Sequence, residues 1–422
     1  MRRPFAAAAL VAGLCCGAAA GSSSPALDKA TAAVRSGDRK LALALVAEAR
    51  KGTNTTEQRE AVALLYADLK EYGVAQSLMN ALIKKSPKEP RLRFYLATIV
   101  ARAGDRGATL AALEEARKLR PNAQDRQRMA FLHQDFKDYG PARELLDGLI
   151  AESPGDLSVR LDRASLAAQS RDFPGGLEHL AAARALKPGP EERRRMAALY
   201  RDLGELDLAR AMIDELIEQS PASPGLHFER ASLAARSGDR TAALAALAAA
   251  REHGPSLEER RRIASFYQEL KEYREARAVL ASLARDTPRE PRAWRDLAEF
   301  DARRGSRAAA LESLAAALKL EPDLQDRQVM SLVYQDLKEY KTARAMIDAL
   351  IAEQPSDPQL RLNRAYFAAD AGDKTAALAF LAETRQRSPD PDDRRRMATL
   401  YERLGEQGEA RAVVNEPDKK SR

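Results

Sequence analysis

Apolar residues recur three and four positions apart along almost the whole chain, and no stretch alternates apolar and polar with period two. Leu96, Ala97 and Val100 form one such stripe, and Leu110, Leu113, Ala116 and Leu119 form the next. That spacing lays side chains along one face of a helix, so the pattern predicts helices and no sheet. Gly104-Asp105 separates the two stripes and Pro121 closes the second. Glycine suits a left-handed helix end because it has no Cβ to clash, and proline cannot continue a helix. The Gly-Asp pair recurs at Gly37, Gly238 and Gly372, with Gly305-Ser306 in the same place. The closing proline recurs at Pro188, Pro255, Pro322 and Pro389.

The whole pattern is periodic. Tyr66, His133, Tyr200, Tyr267, Tyr334 and Tyr401 stand 67 residues apart, inside YADLKEY, HQDFKDY, YRDLGEL, YQELKEY, YQDLKEY and YERLGEQ. Each 67-residue unit divides into two helix-turn-helix halves. The second half has the same anatomy without the glycine, except in YRDLGEL and YERLGEQ, and ends at Pro87, Pro154, Pro221, Pro288 or Pro355. A fixed period of this size means stacked units, so function is sought on a surface rather than in one enclosed site.

The small residues at fixed places within each half resemble tetratricopeptide repeats. The family's small residue at position 8 is Ala30, Ala97, Ala164, Ala231, Ala298 and Ala365 in the first halves. Ala75, Ala142, Ala209, Ala276, Ala343 and Ala410 hold position 20 in the second halves, and the lone Trp294 falls at position 4. The resemblance spans about residues 23 to 416 as twelve repeats in six pairs. It implies an all-α fold, an α-solenoid wound as a right-handed superhelix over residues 21–416. Alanine lets antiparallel helices approach closely, where larger residues would force them apart. Thr109 and Gly176 depart from the position-20 alanine, and Pro174-Gly175-Gly176 makes the third pair the weakest by helix propensity. The expectation is a bent or mobile joint there. The last repeat is short, with its second helix starting near Glu409 and a charged tail at residues 417–422.

The first twenty residues read as a signal peptide. Arg2 and Arg3 precede an apolar run from Phe5 to Leu14, and Ala18-Ala19-Ala20 offers a small-residue cleavage site. The expectation is a bacterial protein exported to the periplasm, with no membrane-spanning segment in the mature chain. Both cysteines, Cys15 and Cys16, fall inside this segment, so the mature chain would carry no disulfide or thiolate metal site. Lipid anchoring to the outer membrane through Cys15 or Cys16, or outright secretion, are the alternatives. Net charge is +7 over 69 basic and 62 acidic residues, which permits acidic partners and does not call for nucleic acid.

Catalytic chemistry is not evident. The four histidines, His133, His179, His227 and His253, form no pair at i+4, and no HExxH, Walker or GxSxG pattern occurs. No cofactor or metal is expected, and the chain reads as a non-enzyme. His133 stands where the other units carry tyrosine and reads as a packed aromatic. Arg59, Arg126, Arg193, Arg260, Arg327 and Arg394 recur in every unit and read as staples between neighbouring repeats.

The resemblance implies that the first helix of each repeat lines a concave groove. Carried over onto this chain, it gives basic strips at Arg128, Arg194, Arg195, Arg261, Arg262 and Arg395. Between them lie apolar or aromatic positions at Phe94, Leu161, Phe228 and Tyr366. Such a groove would hold other proteins or extended peptide segments bearing acidic and hydrophobic groups, since arginine grips a carboxylate with two parallel bonds. The function this implies is a protein-interaction scaffold, with envelope assembly or exopolysaccharide secretion as its setting. Binding of an anionic polysaccharide by the arginine strips is the competing reading. Each acid four residues ahead of an arginine (Glu191 and Arg195, Glu258 and Arg262) could instead be a simple intrahelical pair.

Overall fold

The turn of the second halves, which carries glycine only at Gly204 and Gly405, is the first surprise of the computed structural model, which describes residues 24–53, 55–387 and 389–416. Lys70, Lys137, Lys271 and Lys338 take φ values of 58 to 63°, the left-handed conformation that Gly37, Gly104, Gly238, Gly305 and Gly372 take in the other turns. The reason is a shared lock. The Glu71 N–H donates to Tyr66 O at 2.8 Å and the Lys70 N–H to Ala67 O at 3.0 Å, just as Asp105 does to Val100 and Gly104 to Ala101. This 6→1 and 5→2 pairing satisfies carbonyls that the helix end would leave open. It holds lysine where glycine would sit more easily.

Among the described residues there are helices and no strands. The chain divides into two compact units, residues 1–219 and 220–422. The first unit runs α1 (Pro25–Ser36), α2 (Arg39–Lys51), α3 (Thr56–Asp68), α4 (Tyr72–Lys85), α5 (Pro90–Arg102) and α6 (Arg106–Lys118). It continues with α7 (Ala123–Asp135), α8 (Tyr139–Glu152), α9 (Leu157–Ser170), α10 (Phe173–Ala185), α11 (Pro190–Asp202) and α12 (Leu206–Gln219). The second unit runs α13 (Pro224–Arg236), α14 (Arg240–Glu252), α15 (Leu257–Glu269), α16 (Tyr273–Asp286), α17 (Pro291–Arg303) and α18 (Arg307–Leu318). Then come α19 (Leu324–Asp336), α20 (Tyr340–Glu353), α21 (Pro358–Asp370), α22 (Lys374–Gln386), α23 (Pro391–Arg403) and α24 (Gln407–Val414). Odd-numbered helices open each hairpin and even-numbered helices close it.

The division falls where a longer period restarts. Shifting by 201 residues, three of the 67-residue pairs, carries α3 onto α15 and α5 onto α17 without offset. Bonds repeat with the same shift. Arg163 Nε donates to Asp147 at 2.7 Å, and Arg364 Nε to Asp348 at 2.7 Å. Arg126 meets Glu152, and Arg327 meets Glu353 with two bonds of 2.7 Å. The two units are therefore a tandem copy of one three-pair block. The expected signal peptide with Cys15 and Cys16, and the tail at 417–422, lie outside the described residues.

Alanine does what its size predicts. Ala30, Ala97, Ala164, Ala231, Ala298 and Ala365 are fully buried, as are Ala75, Ala142, Ala209, Ala276 and Ala343. Thr109 substitutes by turning its hydroxyl onto Asp105 O at 2.6 Å. Gly176 has its own reason: a Cβ there would meet Leu203 Cδ2 at 2.9 Å and Ala167 Cβ at 3.3 Å. Glycine is thus the residue of closest approach, and α10 forms without a break behind an Asp172 cap on the Gly175 N–H at 3.2 Å.

Four of the recurring arginines, Arg126, Arg193, Arg260 and Arg327, staple helices within a hairpin rather than between repeats, while Arg59 and Arg394 bond the carbonyls of Thr53 and Pro389 ahead of their own helices. Arg126 on α7 reaches Glu152 on α8 at 2.7 Å, and Arg260 on α15 reaches Asp286 on α16 at 2.5 Å. Successive hairpins are tied elsewhere. Arg39 at the start of α2 bonds Glu71 before α4 at 2.8 Å, and Arg240 bonds Glu272 at 2.5 Å.

Candidate functional site

The residues assigned to a groove do not form one continuous strip. Phe94 and Leu161 are 3% and 1% exposed and belong to the core. They sit on the flanks of α5 and α9 that face neighbouring helices, so neither offers a contact to a partner. This corrects the expected alternation of apolar and basic strips. Several arginines are already engaged. Arg195 on α11 bonds the buried Asp162 on α9 at 2.5 Å. Arg128 stands 3.7 Å from Asp125, and Arg395 pairs with Asp392. Arg194 lies beside Arg195 on α11 and is exposed. Tyr366 donates its hydroxyl to Arg396 O at 2.8 Å.

In the second unit, two of the expected residues, Phe228 and Arg262, come together. Phe228 on α13 and Phe266 on α15 stack in a tilted pair with centroids 5.5 Å apart. Arg262 lays its guanidinium over the Phe228 ring at 4.4 Å. Glu258 therefore pairs with Arg261, at 2.7 Å and three residues on, rather than with Arg262 four residues on. Freed from Glu258, Arg262 covers an aromatic platform.

Beside the platform a cleft of about 260 Å³ opens between α15 and α17. Arg261, Ser265 and Gln268 line it from α15, and Arg292, Asp296, Glu299, Phe300 and Arg303 from α17. Arg261 bridges the two helices, with Nε on Asp296 at 2.7 Å and Nη1 on Glu258 at 2.7 Å. Its Nη2 is buried and has no hydrogen-bond partner. Arg292 exposes about half its side chain and stands 3.7 Å from Glu258, beyond hydrogen-bond reach. Arg303 is held by Glu299 one turn earlier on α17. A wider depression of about 630 Å³ lies against α22 and α24, where Glu409 at 2.6 Å and Glu416 already hold its one arginine, Arg385.

The counterpart of the cleft in the first unit is closed. Shifted by 201, its lining becomes Glu60, Leu64, Ala67, Arg91, Tyr95, Thr98, Ile99 and Arg102. Glu60, Leu64, Ala67, Tyr95, Thr98 and Ile99 are all buried. Arg91 donates to Glu60 at 3.1 Å, and Arg102 to Asp68 at 2.7 Å. Burial pushes the Glu60 carboxyl up to about 7, against the opposing pull of Arg91.

Of the cleft lining, sequence reasoning picked out Arg261 and, near a helix end, Arg303. The others carry a signal that the 67-residue register hides: positions 265, 268, 296 and 299 are polar where their counterparts 201 residues earlier are Leu, Ala, Tyr and Thr. Elsewhere His133 is 2% exposed, with Nδ1 2.8 Å from Asp138. Burial holds its pKa down while Asp138 pulls it up. Among the described residues no group of His, Cys, Asp or Glu could hold a metal ion. No helix there is long and apolar enough to cross a membrane.

Paired helices locked at a left-handed turn and packed on alanine define a helical-repeat protein. The family model described as tetratricopeptide repeat matches residues 61–124, 194–258 and 330–391, and the chain is a tetratricopeptide-repeat protein. Among solved structures, a tetratricopeptide repeat protein from Parabacteroides merdae is 20% identical, with 53% of this chain and 90% of that one covered and a TM-score of 0.41. Yeast Tom70 is 12% identical over 91% of this chain and 95% of its own, with a TM-score of 0.38. The type IV pilus biogenesis factor PilW is 17% identical over 46% and 92%, with a TM-score of 0.36. Among curated proteins none matches the chain. The family's repeats serve in general as non-enzymatic scaffolds that bind proteins or peptides.

Proposed function

We propose that this protein is a non-enzymatic scaffold that holds extended peptide segments of partner proteins against the first helices of its second unit. The observation that carries the reading is the aromatic platform of Phe228 and Phe266 beside an open, polar cleft. An extended chain alternates its side chains, so one residue can pack on Arg262 and the aromatic pair beneath it while a polar neighbour enters the cleft. The setting is the bacterial periplasm, in envelope assembly or polysaccharide secretion. The basic start and apolar run of residues 2–20 support export. Binding of an anionic polysaccharide is the weaker reading, because Arg195, Arg261 and Arg395 each already bond an acid.

The test uses the full chain and a fluorescein-labelled peptide of alternating leucine and glutamate. Anisotropy should report binding that Phe228→Ala weakens about tenfold with the cooperative thermal transition kept. Affinity unchanged in that variant would remove the platform from the account.

A further inference from the structure

The second helix of each first half opens on a cation at Arg39, Arg106, Arg240, Arg307 and Lys374, and Phe173 alone breaks the series. Further on by 32 residues every pair carries an acid: Glu71, Asp138, Glu205, Glu272, Glu339 and Glu406. The two groups meet between successive turns. Arg39 bonds Glu71 at 2.8 Å, Arg240 bonds Glu272 at 2.5 Å, Lys374 bonds Glu406 at 2.9 Å, and Arg307 bonds Glu339. In the second pair Asp138 turns to His133 Nδ1 at 2.8 Å, and Arg106 donates to Phe136 O at 3.4 Å instead. The third pair keeps the acid and has lost the cation.

Glu205 is exposed, and among the described residues no side chain bonds it. The acids around it are occupied. Asp172 caps the Gly175 N–H at 3.2 Å, with Arg143 and Arg163 3.7 and 3.8 Å away. Asp202 bonds Arg201 at 3.0 Å, and Asp207 bonds Arg210 at 3.0 Å. Arg171 holds the left-handed turn position, φ 61°, where the other first halves carry glycine. Beside the acid the surface is apolar. Phe173 is 45% exposed and Leu208 39%. Phe173, Leu206 and Leu208 stand where the second unit carries Lys374, Gln407 and Glu409, so the fold asks for no apolar residue here. Apolar area rimmed by charge is the make-up of a contact surface. Arg39 shows what the acceptors of this turn can hold: its Nη2 donates to Glu71 Oε1 at 2.8 Å and to Leu69 O at 3.2 Å. Glu205 and Leu203 O are the same two acceptors in the third pair.

We propose that this turn, at the starts of α10 and α12, docks a partner segment that carries an arginine beside an apolar residue. The guanidinium takes the place that Arg39 fills in the first pair, donating to Glu205 and to Leu203 O. The apolar neighbour covers Phe173 and Leu208 and removes both from water. Lysine fits less well, because its ammonium is a point charge without the planar fork that spans both acceptors. The second unit has no copy of the site, because Lys374 already holds Glu406. None of the residues of the Phe228 platform takes part, so the site stands or falls independently of the reading given for that platform.

The experiment measures the anisotropy of two fluorescein-labelled peptides on the full chain at about 0.15 M salt, one alternating arginine with leucine and one alternating glutamine with leucine. The arginine peptide should bind about tenfold tighter. Phe173→Lys writes in the second unit's own cation and should erase that preference, because the lysine takes Glu205 for itself. Glu205→Gln should erase it as well. Both side chains are exposed, so the thermal transition should stay in place in each variant. Phe228→Ala and Glu406→Gln should leave the preference intact. Equal affinity for the two peptides overturns the docking site, as does a preference that survives Phe173→Lys and Glu205→Gln. A preference lost in Phe228→Ala and kept in Phe173→Lys puts the arginine peptide on the platform instead, and also overturns it.

Discussion

The joint between α3 and α5 and the joint between α15 and α17 are the same piece of backbone written twice, 201 residues apart. In the first, Tyr95 and Leu64 fill the space and Glu60 is buried against Arg91. In the second, Asp296 and Ser265 leave it open, and Arg261 spans it. The alanines, the turn lock and the stop prolines are common to both. A tandem copy thus separates what the fold requires from what it tolerates, and the tolerated difference is a polar cleft.

The comparison can be broken most severely at Tyr95. Tyr95→Asp writes the second unit's residue into the closed joint and should cost about 3–5 kcal/mol, measured by chemical denaturation, because a buried ring is lost and a charge is left beside Glu60. A cost under about 1 kcal/mol would mean that the closed joint is not packed as described. Glu60 gives the next effect. Its folded pKa of about 7 lies above the ordinary 4.5, so the folded state holds its proton more tightly than the unfolded state. Stability is then full below about pH 4.5, falls as pH rises, and levels off above about pH 7. The loss is on the order of 3 kcal/mol. Glu60→Gln should flatten that slope, whereas Arg261→Gln should leave it in place. An identical slope in wild type and Glu60→Gln would contradict the assignment.

The smallest effect tests what the two joints share. Lys70 and Lys271 end α3 and α15 at φ 63 and 60°. Lys70→Gly and Lys271→Gly should each add about 0.5–1 kcal/mol, alike in the two units, because glycine takes the left-handed conformation without the Cβ penalty. Unequal responses, or a loss at either site, would show that the turns are not equivalent.

Much of the fold was legible because it is local. Period, stop prolines and alanine positions follow from helix geometry and close packing. The lysine turns were legible as left-handed only through Gly204 and Gly405 at the same register, since the lock is made by backbone N–H groups that any residue supplies. The binding face was legible only in part. Phe228 and Arg262 come together, while Arg261 turns into the neighbouring cleft, and Phe94 and Leu161 turn inward because helical spacing does not say which flank meets a neighbouring hairpin. Ser265, Gln268, Asp296 and Glu299 look like ordinary polar helix positions until they are set beside Leu64, Ala67, Tyr95 and Thr98.

Hydrogen exchange of the full chain, with and without the leucine–glutamate peptide, tests the central contrast most directly. Peptide should slow exchange over residues 257–269 and 291–303 and leave 56–68 and 90–102 unchanged. Equal protection in both pairs of helices, or protection confined to the first unit, would contradict the claim that only the second copy of this joint is built to bind.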